Sequence, residues 1–367
     1  MIGNWTEVTL QAIADIIPGF AFKGTDFGDL GELVIKIKDI SPPIIDTSAA
    51  KRVELKKYAG KSFAKYQIQK GDFAMAMTGA TIGKIGRCNS RIVAYINQRV
   101  AKISPKKSVD RDFVYHALQV PEFEQFIQNN IDSHSAQENI SGNSLGRFPI
   151  LLPNKLSEQR AIASVLSSLD DKIDLLHRQN KTLEAMAETL FRQWFVETTC
   201  NSWAIQPLSG IADFLNGLAC QKYPPSCPSD CLPVLKIKEL TSGISESSDV
   251  ASANVKPEYV INGGDVIFSW SATLLVKIWD GPTCVLNQHL FKVTSAEFPK
   301  WFFYLWCKHH LEEFKAISSA HATTMGHIKR SDLDEAMVRI PPNLELRKMN
   351  AVIAPIIEKI ESNNRQL

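Results

Sequence analysis

From position 162 the apolar residues keep a strict rhythm. Ile162, Leu166, Leu169, Ile173, Leu176, Asn180, Leu183, Ala187, Leu190 and Trp194 follow one another in alternating steps of four and three. A period of 3.5 is the seam of a coiled-coil helix, here with one polar core position, Asn180. Ser157, soon after Pro153, is placed to cap its start. A helix from Ser157 to about Glu197 would be roughly 60 Å long at 1.5 Å per residue. Shifted by 187, the stripe becomes Met349, Ile353, Ile356, Ile360, Asn363 and Leu367, with a weak point at Pro355. Two seams predict two helices packed on each other. Run antiparallel, they form a rigid spacer with a globular head at each end. The alternative is two unrelated amphipathic helices, each lying on its own head. The second stripe ends at Leu367, the counterpart of Asn180 and 14 residues short of the counterpart of Trp194, so the spacer is unequal in length.

Ahead of each helix the pattern is mixed. Leu33–Ile40 and Arg99–Ile103 alternate as strands do. Gly71-Asp72 precedes an apolar run, as a tight turn into a strand would. Asp112–Gln128 reads as helical, with a break before Pro121. Each head is therefore α+β.

The heads repeat each other. Trp5, Val8 and Leu10 return as Trp203, Ile205 and Leu208. Val34–Ile40 returns as Val234–Leu240, Gly71-Asp72-Phe73 as Gly264-Asp265-Val266, and Asn97-Gln98 as Asn287-Gln288. Phe113-Val114-Tyr115 returns as Phe302-Phe303-Tyr304, the run from Phe148 to Pro153 as that from Val338 to Pro342, and Glu158-Gln159-Arg160 as Glu345-Leu346-Arg347. The order never breaks, which is the mark of a tandem repeat. The division that follows is a head over 1–155, a spacer helix over 156–198, a second head over 199–343 and a closing helix over 344–367. The fold class is α+β, two globular domains separated by long antiparallel coiled-coil helices in a pseudo-symmetric repeat.

Charge sharpens this picture more than composition does. The whole chain of 367 residues is nearly neutral, at +2. Residues 1–155 hold 20 basic and 15 acidic residues, a balance of +5, and residues 201–344 hold 12 and 14, a balance of −2. Between Phe73 and Val109 there is no acid, but Lys84, Arg87, Arg91, Arg99, Lys102, Lys106 and Lys107 are present. Upstream, a run that includes Lys56 and Lys57 faces a single acid, Glu54. A basic stretch of this kind is either a solvated face or the seat of a polyanion. The seven cysteines show no CxxC pair, so the cluster Cys220, Cys227 and Cys231 lacks zinc-site spacing, and no metal is expected. No apolar run reaches membrane-spanning length and the first residues lack signal-peptide character, so no membrane partner and a cytoplasmic location are expected.

The run Leu156-Ser157-Glu158-Gln159-Arg160-Ala161-Ile162-Ala163, followed by Leu169-Asp170-Asp171-Lys172-Ile173-Asp174, Leu183-Glu184-Ala185-Met186-Ala187, Leu190-Phe191 and Trp194-Phe195, resembles the central conserved region of the specificity subunits of type I restriction–modification enzymes. The Trp near each start, the Gly-Asp turn, the Asn-Gln strand and the exit into the helix resemble that family's target-recognition domains. The resemblance covers essentially the whole chain. It departs in the second copy, which has Leu346 where Gln is usual and a shorter helix. The resemblance implies a non-catalytic subunit whose two domains each read half of a bipartite double-stranded DNA site. It implies that the helices set the gap and dock two methyltransferase subunits. Restriction subunits would complete the nuclease. S-adenosylmethionine, ATP and magnesium would belong to those partners, with no cofactor in this chain.

The residues agree with a chain that does no chemistry. None of the Pro-Pro pairs sits in the Asn/Asp-Pro-Pro-aromatic loop that holds a flipped adenine. Gly79-Ala80-Thr81-Ile82-Gly83-Lys84-Ile85 is one residue short of a P-loop and ends without the hydroxyl that binds magnesium. It reads as a Gly-rich bend with Lys84 free to meet a phosphate. The isolated Glu54/Lys56 pair is a weak nuclease signal, and no GxSxG elbow exists. Candidate base contacts lie on two polar loops ahead of the exit strands, with His134, Gln137 and Asn139 in the first head and His321, Thr323, Thr324 and His327 in the second, whose amide, imidazole and hydroxyl groups suit base edges. Lys56, Lys57, Lys84, Arg87, Arg91 and Arg99, with Lys277 in the second head, are the candidate phosphate contacts. Ile162, Leu166, Leu169, Ile173, Leu176, Asn180, Leu183, Leu190, Trp194, Ile353, Ile356 and Ile360 are the candidate helix-packing residues. The other class of function left open is a coiled-coil scaffold that assembles proteins and selects no DNA.

Overall fold

The structure is a computed structural model that describes residues 5–88, 93–131, 138–198, 202–320 and 327–367. It divides into two compact units, Met1–Asp171 and Lys172–Leu367, with the boundary inside the long helix.

In the first unit the strand Trp5–Thr9 pairs antiparallel with Pro149–Pro153, joining the start of the head to its exit. Among the described residues, one sheet runs Ala14–Pro18, Val100–Pro105, Phe73–Ala76, Ile85–Arg87, Ile44–Ile45 and Ile40–Ser41. A second runs Phe27–Gly28, Lys51–Val53, Glu32–Ile35, Ala94–Ile96 and Gln67–Ile68, with a parallel pair, Val34 beside Tyr95, near its centre. The main core lies between the first sheet and the helices Arg111–Ala117 and Pro121–Asn129. Phe73, Met75, Ile103, Val114 and Tyr115 are buried there, and each apolar side chain so buried is worth about 1.5–3 kcal/mol.

The second unit repeats the plan in shorter form, with no counterpart among the described residues to the edge strands Phe27–Gly28, Ile40–Ser41 and Ile44–Ile45. Ala204–Pro207 pairs with Met337–Ile340. One sheet runs Asp213–Asn216, Leu290–Thr294, Val266–Ser269 and Leu275–Ile278. The other runs Val250–Ala251, Leu232–Leu235, Cys284–Leu286 and Val260–Ile261, and its central parallel pair places Val234 beside Val285. The two Gly-Asp turns are built alike. Gly71 and Gly264 take φ of 86° and 98°, and Asp72 and Asp265 each accept a bond from the backbone N–H three residues back. Where the alternating pattern predicts one strand over Leu33–Ile40, the strand stops at Ile35. Asp39 bends back to accept from the Lys36 N–H at 2.8 Å and closes a 3₁₀ turn, Ile37–Asp39. The predicted break before Pro121 is present, between Ala117 and Pro121.

The long helix is Leu156–Arg192, closed by a π turn, Gln193–Glu197. Ser157 is not its cap. It lies inside the helix, and the carbonyl of Lys155 takes the first N–H bonds, from Glu158 and Gln159. The Glu-Gln-Arg motif instead pins this helix to the first head. Glu158 accepts from the Trp5 indole at 2.9 Å. Gln159, buried, accepts from the Asp110 N–H and donates to the Pro153 carbonyl, both at 2.8 Å. Arg160 reaches the Asp110 carboxylate at 4.0 Å.

Within the second unit the two helices do pair, and antiparallel. Asn180 meets Asn363, which donates to it at 2.8 Å, and Leu183 shares a groove with Lys359. Leu176, Asn180 and Ala187 are buried, and Leu183, Leu190 and Trp194 pack partly against the same core. The facing positions are Ile353, Ile357, Ile360 and Asn363. Ile356, expected in the seam, is half-buried, and its neighbour Ile357 takes the inner place. A straight helix of 3.6 residues per turn drifts from a 3.5 repeat, which moves the seam by one residue over this length. The helix Asn343–Asn364 runs through Pro355 without interruption. Pro355 is exposed, so water can satisfy the carbonyl that loses its partner. The N-terminal half of the long seam behaves differently: Leu166, Leu169 and Ile173 are exposed, at 37%, 56% and 41%, and only Ile162 of that half packs on a core. No helix among the described residues is long and apolar enough to cross a membrane.

Candidate nucleic-acid interface

Each head brings three separate segments to one corner. In the first head, Gly19 crosses so close to Asn97 that a Cβ there would sit 2.1 Å from the Asn97 carbonyl oxygen. In the second, Gly217 crosses Asn287 at 2.3 Å in the same sense. Only glycine permits that approach. Next to the crossing, Asn97 and Asn287 begin tight turns, closed by Val100 N–H and Leu290 N–H. Two parallel bridges, Phe20 to Asn97 and Leu218 to Asn287, fix the turns to the crossing strand. The third segment enters through antiparallel bridges, Thr78 to Asn139 and Ser271 to His327. The corner is thus assembled from the Gly crossing, the Asn-Gln turn and the end of the polar loop.

The same frame carries different side chains. The first corner offers Gln98 and Arg99, both exposed, with Asn139 half-buried. The Thr78 hydroxyl and the Asn97 amide oxygen are buried there with no partner among the described residues. The second corner offers Gln288, His289 and His327 around Trp270. The Trp270 ring stacks on Phe291 at 5.7 Å and lies 6.0 Å from His289 and 6.3 Å from His327, and its indole N–H donates to Asn216 at 3.1 Å. Ser271 bonds His289 Nδ1 at 3.2 Å. Ala272 follows at φ 54°, a left-handed conformation where the first head has Gly79 at 73°. A side chain held there is strained by about 1–2 kcal/mol.

The residues singled out from the sequence fall in several places. Asn139 and His327 lie at equivalent positions in the two corners, and Arg99 is in the Asn-Gln turn. Lys84 is exposed at the end of the Gly-rich bend, which forms a 3₁₀ turn, Gly79–Thr81, between two strands. Lys56 and Lys57 are on the turn Leu55–Tyr58 of the second sheet, both drawn to Glu54, at 2.6 and 3.4 Å. That pairing pulls the Glu54 carboxyl below its usual range. The turn backs onto a cluster of rings, Phe20, Phe22, Tyr58 and Phe63, with Lys61 over Phe20. Two of the basic residues are paired within the fold. Arg87 turns inward: its guanidinium stacks 3.7 Å over the Tyr115 ring and reaches Asp112 at 3.5 Å and His116 at 3.3 Å, leaving the side chain 19% exposed. Lys277 pairs with Asp280 at 2.8 Å beside Asn180, Glu184 and Tyr304, against the helices and away from the corner. Arg91, His134, Gln137, His321, Thr323 and Thr324 lie outside the described residues.

Gln98, Gln288, His289 and Trp270 were not expected at the site. The signal for the two glutamines was in the repeat itself, since Asn-Gln recurs in register, whereas His289 stands where the first head has Arg99. Trp270 has no counterpart in the first head, where its place is taken by Met77. Among the described residues no three His, Cys, Asp or Glu side chains are close enough to hold a metal.

The geometry has relatives. The model of the type I restriction modification DNA specificity domain matches residues 2–185 and again 201–367. The MjaIX type I restriction enzyme specificity subunit of Methanocaldococcus jannaschii is 25% identical over 296 residues, 74% of this chain and 68% of that protein. The EcoBI specificity subunit of Escherichia coli is 29% identical over 174 residues, 47% of this chain and 33% of that protein. A crystal structure of a type I restriction–modification S subunit from M. genitalium shares the fold, with a TM-score of 0.60 at 16% identity over 98% of this chain and 91% of its own. The chain belongs to the type I restriction–modification DNA specificity family and carries its domain twice.

Proposed function

We propose that the chain is the DNA-recognition subunit of a type I restriction–modification assembly. Each head reads one half of a split site, and the helices set the gap between halves. The observation that carries this reading is the corner built twice on one frame with different side chains. A shared frame positions the backbone alike, and different amide, imidazole and guanidinium groups select different bases. The first head, at +5, supplies phosphate attraction, and the second, at −2, depends on base contacts and on partners. Lys84, Arg99 and Asn139 in the first head and Gln288, His289 and His327 in the second are the proposed contacts. Chemistry then falls to partners: two methyltransferase subunits using S-adenosylmethionine, and restriction subunits using ATP and magnesium. A scaffold that selects no DNA is the less favoured reading.

The test is methylation mapping by long-read sequencing of DNA modified by the chain with its methyltransferase. The expected motif is bipartite. Gln288→Ala should relax one half and leave the other intact. A continuous motif, or both halves altered together, would overturn the reading. Four residues inserted after Leu183, about one helical turn, should change the gap and keep both halves.

A further inference from the structure

The two heads differ in what covers the helix on their exit side. In the second unit the end of the long helix lies there. Phe195 is buried among Trp203, Phe302 and Trp306 at 5.5–5.6 Å, and Phe191 sits 4.9 Å from Trp306. Ile353, from the C-terminal helix, is fully buried in the same cluster. The repeat maps this seat onto the first unit: Trp203 onto Trp5, Phe302 onto Phe113, Trp306 onto Ala117 and Ile353 onto Leu166. Those four residues line one open apolar groove of about 500 Å³. Leu166 there is 37% exposed, and no described part of the first unit covers it. The first unit has the seat without the helix end that fills it in the second.

Charge says what kind of helix fits. In the second unit Glu188 of the covering helix pairs with Lys308. The position equivalent to Lys308 is Gln119, and the groove is bordered by two exposed acids, Glu7 and Glu122. We propose that this groove seats an amphipathic helix of a partner polypeptide, with aromatic side chains four residues apart, as Phe191 and Phe195 are, and a basic residue where this chain has Glu188. The partner helix is assigned from the comparison of the two seats and not from which DNA the heads read.

The test uses the full chain and labelled peptides spanning residues 184–198, one native and one carrying Glu188→Lys, followed by fluorescence anisotropy. The Glu188→Lys peptide should bind saturably and more tightly than the native one. A peptide with Phe191→Ala and Phe195→Ala should not bind. Truncating such anchors, or blocking their pocket, typically weakens binding by about tenfold or more. Leu166→Glu, at an exposed site, should therefore abolish binding and keep the circular-dichroism spectrum. Ala117→Trp, which fills the groove as Trp306 does, should do the same. Absence of saturable binding would overturn the proposal, as would binding indifferent to both chain variants. Sedimentation of the chain alone gives the remaining outcome. Self-association abolished by Leu166→Glu would assign the groove to a second copy and overturn the partner helix.

Discussion

The aromatic seat of the second unit and its open counterpart in the first are the same construction at two stages of completion. Both have a tryptophan at the head of the entry strand, a phenylalanine on the helix that packs behind it, and an apolar residue from the exit helix. In the second unit the chain supplies the cover, and Phe195 is 1% exposed. In the first, Leu166 and Leu151 stand open at 37% and 45%. A repeat copies the receptor surface faithfully because that surface is also the face of a head's core. It need not copy the cover, which comes from a different part of the chain. The largest expected effect follows. Phe195→Ala should destabilise the second unit by about 3–5 kcal/mol, the usual cost of deleting a buried ring. Leu166→Ala should change the first by no more than about 0.5 kcal/mol, as exposed sites do. Urea denaturation followed by hydrogen exchange, read separately for peptides of each unit, measures both. Equal losses would mean that the groove is not open in solution.

The helix seam shows the same contrast at smaller scale. Inside the second unit Asn363 donates to the Asn180 amide oxygen and Asn180 donates to Asn364, which leaves the buried Asn363 amide oxygen without a partner among the described residues. Asn180→Ala should cost about 1–3 kcal/mol, because it leaves a buried amide without its partner. Asn180→Leu with Asn363→Leu together should recover most of that loss, and the double-mutant coupling measures the pair. Ile173→Asn, in the exposed half of the same stripe, should be nearly silent. A cost at Ile173 equal to that at Asn180 would show that the exposed half is packed.

Which parts were legible in the sequence follows from what kind of signal each left. The tandem repeat was legible because seven motifs keep their order, and the strands common to both units, ten in each, follow the same register. The seam was legible as a period. Its covering was not, since a stripe shows which face is apolar and not what lies over it. The corner was missed for a different reason. Asn-Gln is a common dipeptide, and only the Gly19 and Gly217 crossings, some 70–80 positions away, make it a site. Arg87 was read as a DNA contact from a run without acids. The ring that takes it, Tyr115, and the acid, Asp112, lie outside that run, so counting charge along the chain could not find them. Lys277 is likewise paired within the fold, with its partner Asp280 three residues on and the helix face beside it about a hundred away.

The two corners differ in one backbone detail that can be exchanged. Ala272→Gly should stabilise the second unit by about 1 kcal/mol, by relieving a left-handed conformation that alanine tolerates poorly. Gly79→Ala should cost the first unit about the same. The Cβ it adds would meet only the Ile37 Cδ1 at 4.0 Å, so packing adds little. If Ala272→Gly is neutral in stability yet weakens DNA binding, the strain there serves recognition.

The smallest effect concerns pH and separates the units at the position behind the groove. His116 in the first unit becomes Leu305 in the second. Burial of its ring and the neighbouring Arg87 guanidinium hold the His116 imidazole below its ordinary range, against the opposing pull of Asp170 and Asp112. The folded unit therefore keeps His116 neutral, bonded to Ser167 Oγ at 3.0 Å. A pKa lower in the folded than in the unfolded chain means that unfolding takes up a proton. The stability is fully present above the unfolded value of about 6.5 and is lost as pH falls below it toward the folded pKa. His116→Gln, which keeps a hydrogen-bonding group beside Ser167, should flatten that loss in the first unit. In the second unit His309 is also held low, by burial and by His310, so acid sensitivity there should survive His116→Gln and yield to His309→Gln. Hydrogen exchange of the two units at pH 7.5 and 5.5, corrected for intrinsic rates, reads both in one sample. A first unit that stays as acid-sensitive after His116→Gln as it was before would place the proton uptake elsewhere.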